Sequence, residues 1–404
     1  MHIVVLGGGG AMGRITVRAL AEDDRVAQVT VADWRLAAAE RTIAWLERGR
    51  DKARAVACDV RDAEGLARLL AGADAVLNAT DYPFNVEVMR AALVARVAYA
   101  DLGGLFHMTR RQYELDIAFR EAGLTAVLGI GSTPGITNVL ARIAADTLDR
   151  VERLDVRIGC ADLRPTLHDF APPYSIRTIL DECTLEPMIY RNGRWSAVAP
   201  MSGEEAVEFP APIGRVTAMY TLHSEVALFP VSFRARGLRH ASFKIAFPPD
   251  FLAQMRLLVD AGLAATEPLA VRAPGYEAPV SLSPREVLVA ALAARDTGPS
   301  APVGQAAMPD DCDILRVVAR GTRDGQPVEL IEEMIARPYA PWGVGGGDVD
   351  TGVPLAVAGI LLASGGAERT GAHGAELAFE PRAFLRELAR YGLRAAELSR
   401  RALT

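Results

Sequence analysis

The first thirty-three residues constrain this chain more than any other stretch. An apolar run, Ile3-Val4-Val5-Leu6, leads into Gly7-Gly8-Gly9-Gly10-Ala11-Met12-Gly13, a helix-patterned segment to residue 21, and a second apolar run ending in Asp33. Strand, glycine turn, helix, strand and terminal carboxylate is the order of a dinucleotide-binding βαβ unit, where glycines let the backbone approach a pyrophosphate at a helix N-terminus. Gly8, Gly10 and Gly13 match the Gly-x-Gly-x-x-Gly spacing, with Ala11 and Met12 inside the same turn; Gly7, Gly10 and Gly13 match a looser variant. Asp33, about twenty residues past the last glycine, is placed to accept hydrogen bonds from a ribose 2′-OH and to repel a 2′-phosphate. NAD is therefore the expected cofactor, while Arg35 leaves NADP open.

A chain of 404 residues exceeds one ordinary core, so two domains are expected. Half of the residues are hydrophobic and 23% charged, the balance of a globular protein. A net charge of −6 without any basic run argues against nucleic acid and against an anionic membrane surface as partners. The opening apolar run passes straight into the glycine turn rather than forming a secretory leader, and the most apolar later segment, residues 355–363, is far shorter than the roughly twenty residues of a membrane span. A cytoplasmic location is expected. Cys58, Cys160, Cys183 and Cys312 stand far apart, and the six histidines show no ligand spacing, so neither disulfides nor a metal site is indicated. Only Lys52 and Lys244 among the 44 basic residues are lysines, and neither has the setting of a Schiff-base lysine.

Beyond Asp33 helical and strand patterns alternate. A helix over 36–48 is followed by a strand over 53–58 that ends in Asp59 and Val60. A helix over 63–70 leads to a strand over 75–79, and then to Thr80-Asp81-Tyr82-Pro83. A helix over 86–94 precedes Ala98-Tyr99-Ala100-Asp101 and the turn Leu102-Gly103-Gly104. A helix over 112–121 and a strand over 124–128 complete a Rossmann-type, doubly wound parallel sheet of about six strands, whose ligands belong at the strand C-termini. After the Gly129–Gly135 segment a helix with a stripe of Ile136, Leu140 and Ile143 opens a second, α+β domain. Its sheet is expected to be largely antiparallel, with strands over 151–159, 215–222 and 241–247, helices over 251–261 and 284–294, and a hairpin turning at Asp324-Gly325. Residues 296–311, rich in Pro, Gly, Ser and Ala, read as a loop. The apolar helix after Thr351-Gly352-Val353-Pro354 is expected to be buried against the first domain. The domains are thus residues 1–130, completed by 343–404, and residues 131–342 for substrate binding and dimerisation.

Asp101-Leu102-Gly103-Gly104, Gly129 to Asn138, Pro173 to Asp181, Arg191-Asn192-Gly193 and Thr351 to Pro354 occur in an order that resembles the saccharopine dehydrogenase family, particularly its lysine 6-dehydrogenase branch. The resemblance runs over nearly the whole chain. It implies a dinucleotide domain built from both chain ends, a central domain that makes a homodimer, and hydride transfer between a nicotinamide and an amine-bearing carbon through an imine. Members of the lysine 6-dehydrogenase branch carry His-Thr-Ser-Gly-Gly where this chain reads Tyr220-Thr221-Leu222-His223-Ser224-Glu225, so substrate is the point of departure from that branch.

Amine oxidation needs a base near the nicotinamide. Asp101, at a strand end before Gly103, is one candidate, with an Asx-turn as its alternative role; it also belongs with Ala79, Thr80 and Gly103 in the set lining the cofactor. His223 and Glu225 alternate on an apparent strand and so share a face. Tyr82 follows the fourth strand, where a loop passes the nicotinamide ribose. Gly135 and Asn138 open a helix whose N-terminus is placed to receive a carboxylate, and Arg164 and Arg177 offer bidentate partners for a substrate α-carboxylate. The expected activity is NAD(P)-dependent oxidation of lysine or a related small amine. Reductive condensation of an amine with a carbonyl compound, as in saccharopine or carboxynorspermidine formation, and a non-catalytic NAD-binding sensor are the alternatives.

Overall fold

The computed structural model describes residues 1–164, 170, 172, 174–272, 274–275, 277–295 and 309–402. Pro173, and the expected loop over 296–311 except its last three residues, lie outside the described residues.

The first sheet is built from short strands that are largely buried on both faces, except the partly exposed edge strand over 53–57, the pattern of a parallel sheet covered by helices. These are β1 (His2–Leu6), β2 (Gln28–Asp33), β3 (Ala53–Ala57), β4 (Ala75–Asn78), β5 (Ala98–Asp101) and β6 (Thr125–Val127). The connecting helices are α1 (Ala11–Ala21), α2 (Leu36–Trp45), α3 (Ala63–Leu70), α4 (Asn85–Ala95), α5 (Leu105–Gln112) and α6 (Asp116–Glu121). The helix expected over 112–121 is therefore two helices joined by a 3-10 turn at Tyr113–Leu115. The order β3-β2-β1-β4-β5-β6 reverses direction between β1 and β4, which opens the ligand-binding crevice at the C-terminal ends of those two strands.

The second unit begins with α7 (Ile136–Asp146) and the long strand β7 (Arg150–Asp162), followed by α8 (Ile176–Thr184), β8 (Met188–Arg191), β9 (Arg194–Ala197), β10 (Glu205–Glu208), β11 (Arg215–Tyr220), α9 (Glu225–Phe233) and β12 (His240–Ala246). Next come α10 (Pro249–Asp260), the small hairpin β13 (Leu269–Val271) and β14 (Val280–Leu282), α11 (Pro284–Arg295), and the hairpin β15 (Asp311–Arg323) and β16 (Gln326–Ala336). The sheet is antiparallel except for β7 beside β12, which run parallel.

The C-terminal segment divides between the two sheets. Helix α12 (Gly346–Ala363) packs on α1, β4 and β5 on one side and on β15 and β16 on the other, which makes it the wall shared by both units. It is long and apolar enough to cross a membrane, yet 72% of it is buried inside the protein, as expected of a core helix. Its glycines permit this closeness: a Cβ on Gly352 would lie 2.6 Å from Ile15 Cβ, and one on Gly359 2.7 Å from a Leu77 methyl. Strand β17 (Gly371–His373) adds a seventh, parallel strand beside β6. After α13 (Ala375–Ala378) and α14 (Pro381–Ala389), however, β18 (Ala395–Ala402) pairs with β16 in the second sheet. The return of 343–404 to the first domain therefore excludes its last strand, because the open edge of β16 offers that strand a ladder of unpaired backbone groups.

Candidate active site

The glycine turn forms the floor of the crevice. Gly7 has φ +70°, and a Cβ there would sit 2.6 Å from the Ala79 carbonyl, so the β1 and β4 ends approach more closely than any side chain allows. A Cβ on Gly13 would lie 2.1 Å from the Gly7 carbonyl, which locks α1 onto the turn. Gly8 is equally crowded against Val31, whereas Gly10 has open space beside its Cα apart from the Gly7 carbonyl at 3.2 Å. No side chain caps α1, so the N–H groups of its first turn, at Ala11 and Met12, point into the crevice uncapped. Asp33 is buried, and its carboxylate accepts from Gly9 N–H at 3.1 Å and Arg35 N–H at 3.0 Å. A carboxylate held so, beside an uncapped helix start, fits a nucleotide ribose and pyrophosphate. At the end of β3 Asp59 is exposed and grips Arg61, while Val60 is half-buried.

Behind the crevice lies a polar network centred on Asp101, joined by Tyr99, Gln112 and Asn85, which no motif pointed to as site residues. Asp101 is buried, and both of its oxygens are fully used: Gly103 N–H at 2.7 Å and Gly129 N–H at 2.8 Å on one, Tyr99 OH at 2.8 Å and Gln112 Nε2 at 2.5 Å on the other. Burial pushes its pKa up against these four donors. Asp101 is thus a clamp on the loops after β5 and β6, and the general-base reading of it gives way to its alternative role in the turn. Asn85 extends the network, donating to the Gly103 carbonyl at 3.1 Å and accepting from Asn78, which in turn holds Thr80.

His223 and Glu225 are brought together, but not on a strand. Strand β11 stops at Tyr220, His223 lies in the following turn, and Glu225 is the first residue of α9. His223 Nδ1 and Glu225 Oε2 are hydrogen-bonded, and both side chains are buried. The imidazole stacks on Phe243 with ring centroids 3.8 Å apart, which fixes its plane. The other Glu225 oxygen accepts from Thr133 and, at 2.8 Å, from Thr137. Burial alone would lower the His223 pKa, but the Glu225 carboxylate and the field of Glu182 outweigh it and raise it above the ordinary histidine value. Glu225 shifts down: burial opposes ionisation, and His223 with the two threonines more than compensates. The intervening Ser224 accepts from Thr109 Oγ1 at 3.1 Å and from Gly104 N–H at 3.4 Å, tying this turn to the loop after β5. Nε2 of His223 has no hydrogen-bond partner among the described residues. An imidazole oriented through Nδ1 with Nε2 unengaged is the arrangement of a general acid–base.

Glu182 and Tyr174 join this group and were not foreseen as site residues: Tyr174 lies in the Pro173 to Asp181 stretch that carries the resemblance, but nothing local assigned it a role, and Glu182 follows that stretch as an ordinary helical glutamate. Tyr174 OH donates to Glu182 at 2.6 Å. Burial raises the Glu182 pKa to about 7 against the opposing pull of His223 and Tyr174.

Other expected site residues are engaged elsewhere. Asn138 caps its own helix, accepting from Gly135 N–H at 3.0 Å, and donates to Glu376 at 2.8 Å. Ile136 N–H reaches the Gly131 carbonyl and Thr137 N–H the Ser132 carbonyl, so the α7 N-terminus is closed by its own loop rather than open to a carboxylate. Arg164 is exposed and holds Asp162 from its guanidinium. Arg177 forks onto Glu286. Neither arginine faces the crevice as a free carboxylate receptor. Tyr82 donates to Asp181 at 2.7 Å, and burial followed by that bond pushes its phenol pKa up, which removes it as a base at neutral pH. Arg285, only 9% exposed and missed in the sequence, meets the other Asp181 oxygen. Lys244 pairs with Glu205 on the outer face of the second sheet, away from this group. No cluster of metal ligands occurs among the described residues.

Comparison with known proteins bears on the fold. Residues 3–127 match the family model described as the saccharopine dehydrogenase NADP binding domain. The carboxynorspermidine synthase of Vibrio cholerae is 26% identical over 294 residues, covering 67% of this chain and 69% of that protein. The carboxyaminopropylagmatine dehydrogenase of a Synechocystis species is 23% identical, covering 97% of this chain and 96% of that one. The apo saccharopine dehydrogenase (L-Glu forming) of Saccharomyces cerevisiae, 18% identical, superposes over all of both chains with a TM-score of 0.68, which shows a shared fold. Residues 3–127 are thus similar to the nucleotide domain of the saccharopine dehydrogenase family, and the chain shares its two-sheet fold, over its whole length, with a saccharopine dehydrogenase.

Proposed function

We propose that this protein is an NAD(P)-dependent oxidoreductase that moves hydride at the amine-bearing carbon of a small cationic amine or amino acid, through an imine. The observation that carries the proposal is the buried His223–Glu225 pair beside the loops that border the nucleotide crevice. The bound nicotinamide supplies the hydride acceptor or donor. The protein's own part is to place the amine and to handle its protons. Gly10, Ala11 and Met12 would hold the pyrophosphate and Asp33 the adenosine ribose, while Ala79, Thr80 and Gly103 border the nicotinamide end. His223 Nε2 takes the ammonium proton before hydride leaves carbon and returns one when the imine is reduced. Glu225, held by Thr133 and Thr137, keeps that nitrogen aimed and stabilises the imidazolium. The buried carboxylates at this site, Glu182 and Glu225, suit a positively charged substrate better than a dicarboxylate, Asp181 being already paired with Arg285.

A second reading, reductive condensation of an amine with a carbonyl compound, is favoured by the names of the two relatives, a carboxynorspermidine synthase and a carboxyaminopropylagmatine dehydrogenase. It is the reverse of the same hydride chemistry with an amine in place of ammonia. One experiment separates the readings: NADH or NADPH oxidation followed at the reduced-nicotinamide absorbance with aldehyde and keto-acid partners, each with ammonia, lysine or a diamine. Turnover with ammonia supports a simple amine dehydrogenase, and turnover only with an organic amine supports condensation. No turnover with any pair, despite tight cofactor binding, contradicts both and leaves a nucleotide-binding sensor.

A further inference from the structure

The acid–base pair has a third member. Glu182 lies on α8, one residue after Asp181, and the two carboxylates diverge: Asp181 binds Tyr82 and Arg285, whereas Glu182 turns inward and is 3% exposed. The Glu182 carbonyl also accepts from Leu222 N–H at 3.4 Å, which ties α8 to the turn that presents His223. No Arg or Lys pairs with either Glu182 or Glu225 among the described residues. Among the described residues, His223 is therefore the basic group these two buried carboxylates share, Glu225 through its hydrogen bond and Glu182 through its field. From the elements around it, the charged and titratable groups are Glu225 on α9, Glu182, Asp181 and Cys183 on α8, Tyr174 before α8, and Glu376 on α13, which acts on Glu225. Among the described residues, α7 and its loop contribute the neutral Thr137 and Thr133, and β12 contributes Phe243.

We propose that Glu182 is a positioning residue for the acid–base step: its carboxylate, fixed by the Tyr174 hydroxyl, sets the proton affinity of His223 and couples it to the charge of the incoming substrate. Two buried carboxylates around one imidazole cannot all be ionised without leaving a net negative charge out of water. In the empty site Glu182 and His223 therefore share protons as a coupled pair. A cationic amine entering beside them supplies the missing positive charge, so Glu182 ionises as the substrate binds, and the field it then exerts raises the basicity of His223 at the moment a base is needed. The inference rests on the acid–base role of His223 proposed above, and it has a readout that needs no turnover.

The test is NMR titration of the protein with ¹³C-labelled histidine, the His223 signal being identified by its loss in His223→Gln. Glu182→Gln should lower the His223 pKa by on the order of one unit, the usual effect of removing a neighbouring carboxylate. Tyr174→Phe, which strips a donor from that carboxylate and so disfavours its ionised form, should shift His223 in the same direction by less. The limb of the kcat/KM profile assigned to His223 should move with the NMR value, while cofactor affinity stays unchanged. A His223 titration unmoved in both variants overturns the proposal. A shifted titration in a protein that turns over no amine would overturn the proposed function and leave the coupling standing. Loss of rate with an unmoved pH limb would mean that Glu182 is merely structural.

Discussion

At the scale of single residues, His223 sets the pH behaviour. Its pKa is raised, so the neutral form that accepts a proton in amine oxidation accumulates only above the ordinary value of about 6.5. Oxidation should therefore gain rate as pH rises through a limb above 6.5, and reduction, which needs the imidazolium, should lose rate through the same limb; initial rates in both directions check this. His223→Ala should lower kcat by about two to four orders of magnitude, and a fall of less than about tenfold would remove it as the acid–base. Glu182 carries the opposite linkage sign to a salt-bridged carboxylate. Its folded-state pKa of about 7 lies above the unfolded value, so its contribution to stability is full below the unfolded pKa and is lost as pH rises through 7. Glu182→Gln should then melt above the parent at pH 8, with the gap shrinking toward pH 5, by calorimetry. Asp33 has two functions, bracing Gly9 and Arg35 and facing the ribose. Its replacement by Ala should weaken NAD binding roughly ten- to hundredfold, the size of a charge-assisted hydrogen bond, with less loss for NADP; equal NAD affinity by titration calorimetry would refute the ribose assignment.

Among the elements, α12 bears the largest share of the architecture. Gly352 lets it lie against α1, the helix whose N-terminus faces the cofactor, and Thr16 Oγ1 donates to the Gly352 carbonyl at 2.8 Å. Gly352→Ala would drive a methyl into Ile15, with an expected cost of about 1–3 kcal/mol from overpacking and a displaced α1. The measurement is urea unfolding together with NAD affinity; a variant as stable as the parent would mean the α1–α12 contact relaxes freely. Helix α7 shows the opposite economy, since its start is sealed by Gly131, Ser132 and Asn138 and its hydroxyls serve Glu225 instead of a ligand.

For the whole molecule, the crevice is closed by a chain of contacts between the two units: Tyr82 from the first sheet to Asp181 on α8, and Asp181 to Arg285 on α11. Tyr82→Phe removes one link. It should raise the substrate KM by roughly fivefold, the worth of one hydrogen bond, and leave kcat within about twofold. A large fall in kcat with unchanged KM would instead make Tyr82 part of the chemistry. The second sheet presents alternating Arg and Glu rows on one face, such as Arg157–Glu205, Arg316–Glu333 and Arg320–Glu329. We expect a homodimer, as the family resemblance implies, and light scattering at micromolar concentration should give twice the chain mass.

The sequence by itself determined the elements whose signals are local. A glycine turn between two apolar runs can fold into little else than a nucleotide-binding βαβ start, and a strongly apolar helix has to be buried, so the first sheet and the burial of α12 were legible from residue order, although α12 begins at Gly346, ahead of the stretch expected to precede it, and carries Asp348 and Asp350. Local signals also proposed His223 and Glu225, though for the wrong reason: alternation suggested a strand, whereas a turn followed by a helix start joins them. What only the tertiary structure decided is which polar groups are already satisfied. Asp101, Asn138 and Arg177 have the right chemistry, and each is engaged by a partner that the fold supplies, two of them buried and one near the surface, while Arg164 is held locally by Asp162 two residues before it. Glu182 and Arg285 carry no motif, Tyr174 sits in one without an assigned role, and all three reach the site because α8, the segment before it and α11 fold over the crevice. The physical reason is range: a turn or an amphipathic face is encoded by neighbours a few residues apart, whereas hydrogen-bond satisfaction and the electric field around a buried histidine are set by side chains brought together from distant parts of the chain.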